Sequence, residues 1–219
     1  MDVSFMERFL PMYVTAAQLT LTIAVIGIAI SVVIGIAASL ALYYRIPGLG
    51  QLVAVYVELS RNTPLLVQLF FLYFGLPKIG IRLSPEICGI IGLSFLGGAY
   101  MTETFRAGFE TVERIQSESA LSLGMSRAAT MRYVVLPQAL AVSVPSLVAN
   151  MIFLIKETSV FSGIALADLM YVTKDLIGIY YQTPEALFML VMAYLVLLLP
   201  ISLFGSWVER RLRYAGFGN

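Results

Sequence analysis

The chain has 219 residues, 14 Lys and Arg against 13 Asp and Glu, and a formal net charge of +1. Hydrophobic residues make up 59% and charged residues 12%, where soluble domains carry about a quarter charged, so the chain reads as one membrane domain of a few spanning helices. No basic block suggests nucleic acid, the single Cys88 excludes an internal disulfide, and the absence of His excludes a His/Cys metal site and a Ser-His-Asp triad.

Five stretches carry no Asp, Glu, Lys or Arg: 9–44, 62–77, 87–102, 133–155 and 186–208. A hydrocarbon core about 30 Å thick needs roughly 20 residues per helix. The second and third stretches therefore span only if their charged flanks, Glu58 and Arg61 on one and Glu103 and Arg106 on the other, lie at membrane depth. Pro47, Gly48 and Gly50 break the first connection, and Pro77, Gly80 and Pro85 the second. The expected helices are 14–44, 51–76, 85–112, 132–157 and 185–210, with a loop over 113–131. Asp2 and Glu7 precede the first apolar run without a basic region, which argues against a cleaved signal peptide.

Basic residues then orient the helices. One set of connections holds Arg45, Arg106, Arg114, Arg127, Arg132, Arg210, Arg211 and Arg213, with Arg61 leaning the same way, and the other holds Arg8, Lys78, Arg82, Lys156 and Lys174. The richer side is expected to be cytoplasmic, which places the N-terminus outside and the C-terminus inside. Gly27, Ser31, Gly35 and Ser39 form a small-residue stripe suited to close helix packing. Trp207, Tyr43, Tyr44 and Tyr214 fit an inner interfacial belt.

The loop "ESALSLGMSRAATMRYVVLPQA", 118–139, is polar, small and punctuated. Ser117 is expected to cap a short helix with Glu118 in its first turn, Gly124 to end it, and Ser126 to cap the next helix. Small side chains at Ser119, Ala120 and Ser122 would let a partner backbone approach, with Arg127 and Arg132 at the rim. An ordinary interfacial loop is the plainer alternative.

Polar groups in the expected spans are candidate ligands, since charges at membrane depth tend to face a cavity. Glu103 and Tyr100 share a helix face, and Gly97 and Gly98 leave room for a ligand or a helix. Glu103 could hold an ammonium, or pair with Arg106 at i+3. Asn150 could bind substrate or join helices. Lys156 and Glu157 read mainly as gate or end structure. Asp168 sits in "SVFSGIALADLMYV", too apolar to float in water, so the segment is expected to dip toward the bundle; Asp168 could face the cavity or simply be exposed, and if both it and Glu103 face the cavity they would favour a cationic ligand.

Glu118-Ser119-Ala120, three residues, Gly124, nine residues, Val134, one residue and Leu136-Pro137 resembles the "EAA" loop of bacterial ABC importer permeases. "SRNTPLLVQLFFLYFGLP" (60–77), "AYMTETFRAGF" (99–109), "SLGMSRAATMRYVVLPQAL" (122–140) and "IKETSV" (155–160) are similar to the polar amino acid branch, the histidine, glutamine and arginine permeases. Ser119 replaces the usual second Ala. The resemblance implies an all-α type I (MetI-like) importer permease fold in the bacterial inner membrane. It also implies a second permease subunit, an extracytoplasmic amino acid-binding protein and a cytoplasmic ATPase dimer. That ATPase would dock through Glu118, Ser119, Ala120, Gly124, Met125 and Arg127, and would bind the ATP and Mg. The family also carries a Glu at position 103, which would mark the common amino acid skeleton. The chain itself has no GxxxxGK loop. An ion-coupled secondary transporter and a membrane scaffold are the competing functions.

Overall fold

The computed structural model describes residues 1–216, and side chains up to Arg211. Arg213 and Tyr214 therefore lie outside the described side chains, and residue 219 outside the described chain. All regular structure among the described residues is helical: α1 (Val3–Tyr43), α2 (Leu49–Arg61), α3 (Leu65–Phe70), α4 (Pro85–Glu110), α5 (Arg114–Ser122), α6 (Arg127–Thr130), α7 (Leu136–Glu157), α8 (Leu169–Tyr180) and α9 (Thr183–Gly216). Three continuous runs are long and apolar enough to cross a membrane: Val3–Tyr43, Arg127–Ile164 and Thr183–Arg211.

The first helix begins at Val3, not near residue 14. Asp2 caps it by accepting a bond from the Phe5 N–H, and Glu7 and Arg8 sit exposed while Phe5, Phe9 and Tyr13 point inward. Charges on one face of an amphipathic turn do not end a helix; the expected boundary had treated them as if they did. This end of α1 packs with α8 and the start of α9 in a small second core with Leu169, Leu176 and Met189. Tyr13 adds a bond from its hydroxyl to the Ala186 carbonyl at 2.9 Å.

Further along, the Gly27-Ser31-Gly35-Ser39 stripe faces α4. Ser31 and Ser39 are fully buried, and a Cβ on Gly35 would strike Met101. The approach is mutual. A Cβ on Gly97 of α4 would collide with Ser31 Oγ and Leu154 Cδ1, so Gly97 leaves room for helices and not for a ligand. Small residues let two backbones close where lipid supplies no hydrophobic drive.

The expected helix 51–76 is not continuous. α2 ends at Arg61, and Pro64, lacking an N–H and restricting the residue before it, turns the chain at Asn62–Pro64 before α3 starts. The Gln68 amide braces the break by donating to the Ser60 carbonyl at 3.0 Å and the Thr63 carbonyl at 3.1 Å. Two π-helical turns, Phe71–Gly75 and Met131–Val135, each lie just before a proline, Pro77 and Pro137. Each proline removes the donor that the carbonyl four residues back would have used, and a widened turn accommodates the loss. The expected helices 85–112, 132–157 and 185–210 match α4, the α6–α7 run and α9 to within two turns at each end. After α7, the apolar segment folds onto the bundle as expected: Phe161, Ile164 and Leu166 are buried.

Candidate functional site

Two regions carry the polar chemistry. The first is built where α2, α4 and α7 meet. Tyr56 and Ser60 of α2 both donate to the Phe95 carbonyl of α4, at 2.7 and 3.0 Å, which fixes the last turn of α2 and with it Arg61. The Arg61 guanidinium lies 5.2 Å from the centre of the Tyr100 ring and 3.8 Å from Glu103 Oε2. Tyr100 in turn packs against Phe153 of α7, ring centres 5.1 Å apart. The predicted pair Tyr100 and Glu103 is thus brought together, and Arg61 joins them.

Arg61 separates two clefts. One, of about 210 Å³, is lined by Arg61, Asn62, Tyr100, Phe153 and Glu157. The other, of about 340 Å³, is lined by Glu58, Arg61, Glu103 and Arg106 with apolar residues of α1 and α2. In the second cleft the charges compensate each other: Arg106 holds Glu103 through Nε and Nη2, and also binds Glu110 at 2.7 Å. In the first, Glu157 has no ion-pair partner among the described residues. An exposed cation and a half-buried carboxylate beside an aromatic wall suit a small zwitterion, and the volume falls below the range of about 300–1,000 Å³ typical of drug-sized ligands.

Asn150 and Asp168 line neither cleft. Asn150 Nδ2 donates to Thr104 Oγ1 at 2.8 Å, joining α7 to α4. Asp168 is fully buried and caps α8, its Oδ1 accepting from the Tyr171 N–H at 2.9 Å. Two residues of the first cleft were not among the site candidates. Arg61 was legible as a charged flank of a short apolar run, but its contact with Tyr100 arises only from the end of α2 crossing α4. Glu157 was legible only as a carboxylate at the end of an apolar run, which reads mainly as gate or end structure.

The second region is the loop 113–131. α5 runs Arg114–Ser122 with Glu113 at its N-cap position, so Ser117 lies inside the helix and does not cap it. The early start is supported by an Arg114–Glu118 pair at 2.9 Å. Gly124 follows with φ +85°, a left-handed conformation that suits glycine, and Ser126 caps α6 through a bond from the Ala129 N–H. Glu118, Ser119, Gly124 and Arg127 are exposed and Met125 half-buried, but Ala120 is only 5% exposed. It faces inward and offers nothing to a partner. Ile115 of α5 (60% exposed) and Leu123 just after it (85%) are what the loop presents instead. The composition of the loop hid this, because one turn of helix decides which of its few apolar residues turn outward.

Residues 31–214 match the family model described as the binding-protein-dependent transport system inner membrane component. The chain is 32% identical over 217 residues to a probable amino-acid ABC transporter permease protein of Vibrio harveyi, covering 98% of this chain and 97% of that one. It is 32% identical over 206 residues to the glutamine transport system permease protein of Escherichia coli strain K12, covering 93% and 94%. Among solved structures, it superposes with TM-score 0.88 and 32% identity on a chain from the crystal structure of an amino acid ABC transporter with histidines, covering 96% and 99%. A chain of an inward-facing methionine ABC transporter shares the fold, with TM-score 0.79 at 19% identity and coverage of 97% and 99%.

Proposed function

Because the chain belongs to the binding-protein-dependent transport system inner membrane components, we propose that it is the permease subunit of an ATP-driven importer of a polar amino acid. It takes substrate from an extracytoplasmic binding protein, forms the pathway with a second permease subunit, and is driven by two cytoplasmic ATPase subunits that bind the ATP and Mg. The reading has it cross the bacterial inner membrane five times: α1, the broken α2–α3 unit, α4, the α6–α7 run and α9. The N-terminus lies outside and α5 inside, following the basic residues at Arg45, Arg114, Arg127 and Arg132.

The observation that carries the reading is α5, a short helix held out between two long ones, closed by Gly124 and presenting Ile115, Ser119 and Leu123 to a partner. The exposed face is apolar at its ends and small at its middle, the form of a helix that seats in a groove. On the substrate side, the cleft at Arg61, Tyr100 and Glu157 supports binding of the zwitterionic skeleton: Arg61 takes the carboxylate, Glu157 the ammonium, and Tyr100 with Phe153 the aliphatic stem. Glu103 reaches this cleft through Arg61, and Asn150 sets the α4–α7 spacing behind it. A cationic side chain would have to be met by Glu103, since Asp168 is fully buried and lines neither cleft.

Reconstitution decides it. Proteoliposomes containing this chain, its co-purifying ATPase and binding protein should accumulate a polar amino acid when ATP is enclosed with the ATPase. Uptake driven by an ion gradient alone, with ATP without effect, would overturn the proposal.

A further inference from the structure

A third cleft, of about 260 Å³, lies away from the two clefts at Arg61, between the end of α1 and the α5–α6 loop, and Tyr44, Arg45, Ser117, Arg127 and Thr130 line it. Its charge is one-sided. Neither Arg45 nor Arg127 has an ion-pair partner among the described residues, and no carboxylate lines the cleft. Thr130 is 5% exposed, and its buried Oγ1 has no hydrogen-bond partner. Two free guanidiniums with hydroxyls beside them are a donor set for an anion with several acceptor oxygens, which phosphate supplies.

The surroundings favour a lipid over a soluble anion. The cleft opens at the end of a 41-residue apolar helix, where the Tyr43–Tyr44 pair, ring centres 5.3 Å apart, suits headgroup depth. Leu121 lines it while 43% exposed, and Ile46, next to Arg45, is exposed to the same extent. A zwitterionic headgroup would bring an ammonium that finds no carboxylate here. We propose that this cleft binds the headgroup phosphate of an anionic phospholipid. Such a lipid would tie the end of α1 to α5 and α6. Any effect on coupling rests on the proposed docking of the ATPase at α5, whereas the binding itself does not.

Native mass spectrometry of the detergent-purified assembly, offered equal amounts of phosphatidylglycerol and phosphatidylethanolamine, tests it. Phosphatidylglycerol adducts should predominate, and Arg45→Gln and Arg127→Gln should each weaken them about fivefold, the effect expected of one basic residue near an anionic surface. Arg127→Lys should retain them. Arg132→Gln is the control, because Arg132 stacks on Tyr133 at 5.6 Å and lies outside the cleft; it should change nothing. An equal loss in all three Gln variants would mean diffuse surface charge and overturn the site. Displacement of the lipid by millimolar inorganic phosphate would assign the cleft to a free anion. Lost ATPase co-purification with unchanged lipid adducts would assign it to a protein contact. Either result refutes the lipid assignment.

Discussion

Arg106 clasps Glu103 with two bonds, Nε to Oε1 at 3.2 Å and Nη2 to Oε2 at 2.8 Å, one turn apart on α4. The carboxylate that the sequence offered as a ligand is already engaged, and Arg61 approaches its other side. Both side chains of the clasp are about a third exposed, so the pair contributes modestly, of the order of 1 kcal/mol.

A double-mutant cycle follows from that geometry. Glu103→Gln should lower the thermal stability of the purified protein slightly, and Arg106→Gln added to it should recover part of the loss. If Glu103→Gln abolishes uptake with stability and ATP hydrolysis unchanged, the residue binds substrate directly.

Asp168 separates capping from charge. Asn accepts the Tyr171 N–H as well as Asp does, whereas Ala cannot, and loss of a cap costs about 1 kcal/mol. Asp168→Asn should therefore transport normally, while Asp168→Ala lowers stability measured by heating in detergent. Loss of uptake in the Asn variant would show that the charge itself acts on substrate.

At Gly124 the backbone holds φ +85°. A β-branched residue there costs about 1–2 kcal/mol and twists α5 relative to α6. Gly124→Val should insert in the membrane in normal amount but fail to co-purify the ATPase. Normal co-purification would mean that α5 docks without needing this turn.

Glu157 faces the cleft without an ion-pair partner, so Glu157→Gln should remove substrate attraction and little else. Uptake should fall at least tenfold, chiefly as a raised KM, with ATP hydrolysis retained. Unchanged KM would place the substrate ammonium elsewhere.

Sidedness is checked by single cysteines at Lys78 and Ser122 in a Cys88→Ser background. A membrane-impermeant thiol reagent should reach position 78 from outside and position 122 only from inside. Labelling of both from one side would overturn the five-span topology.

The places of α4, the α6–α7 run and α9 were legible in the sequence because apolar runs, prolines and glycines act locally: a segment of about 20 uncharged residues has few alternatives in lipid, and Gly124 or Ser126 dictates its own turn. The small-residue stripe on α1 was legible for the same reason, since Gly and Ser at every fourth position share one helix face. What only the tertiary structure decided were the relationships between helices. The break at Pro64 directs the end of α2 across α4, and that crossing sets Arg61 over Tyr100. The start of α1 at Val3 depends on α8 and α9 covering Phe5, Phe9 and Tyr13, neighbours more than 150 positions away. Whether Ala120 or Leu123 faces outward is a question of rotation by a fraction of a helical turn, whereas the Glu103–Arg106 clasp joins residues three apart on one helix and was one of the two readings the sequence left open. Rotation is set by packing against residues distant in the chain, and no local pattern of residues encodes it.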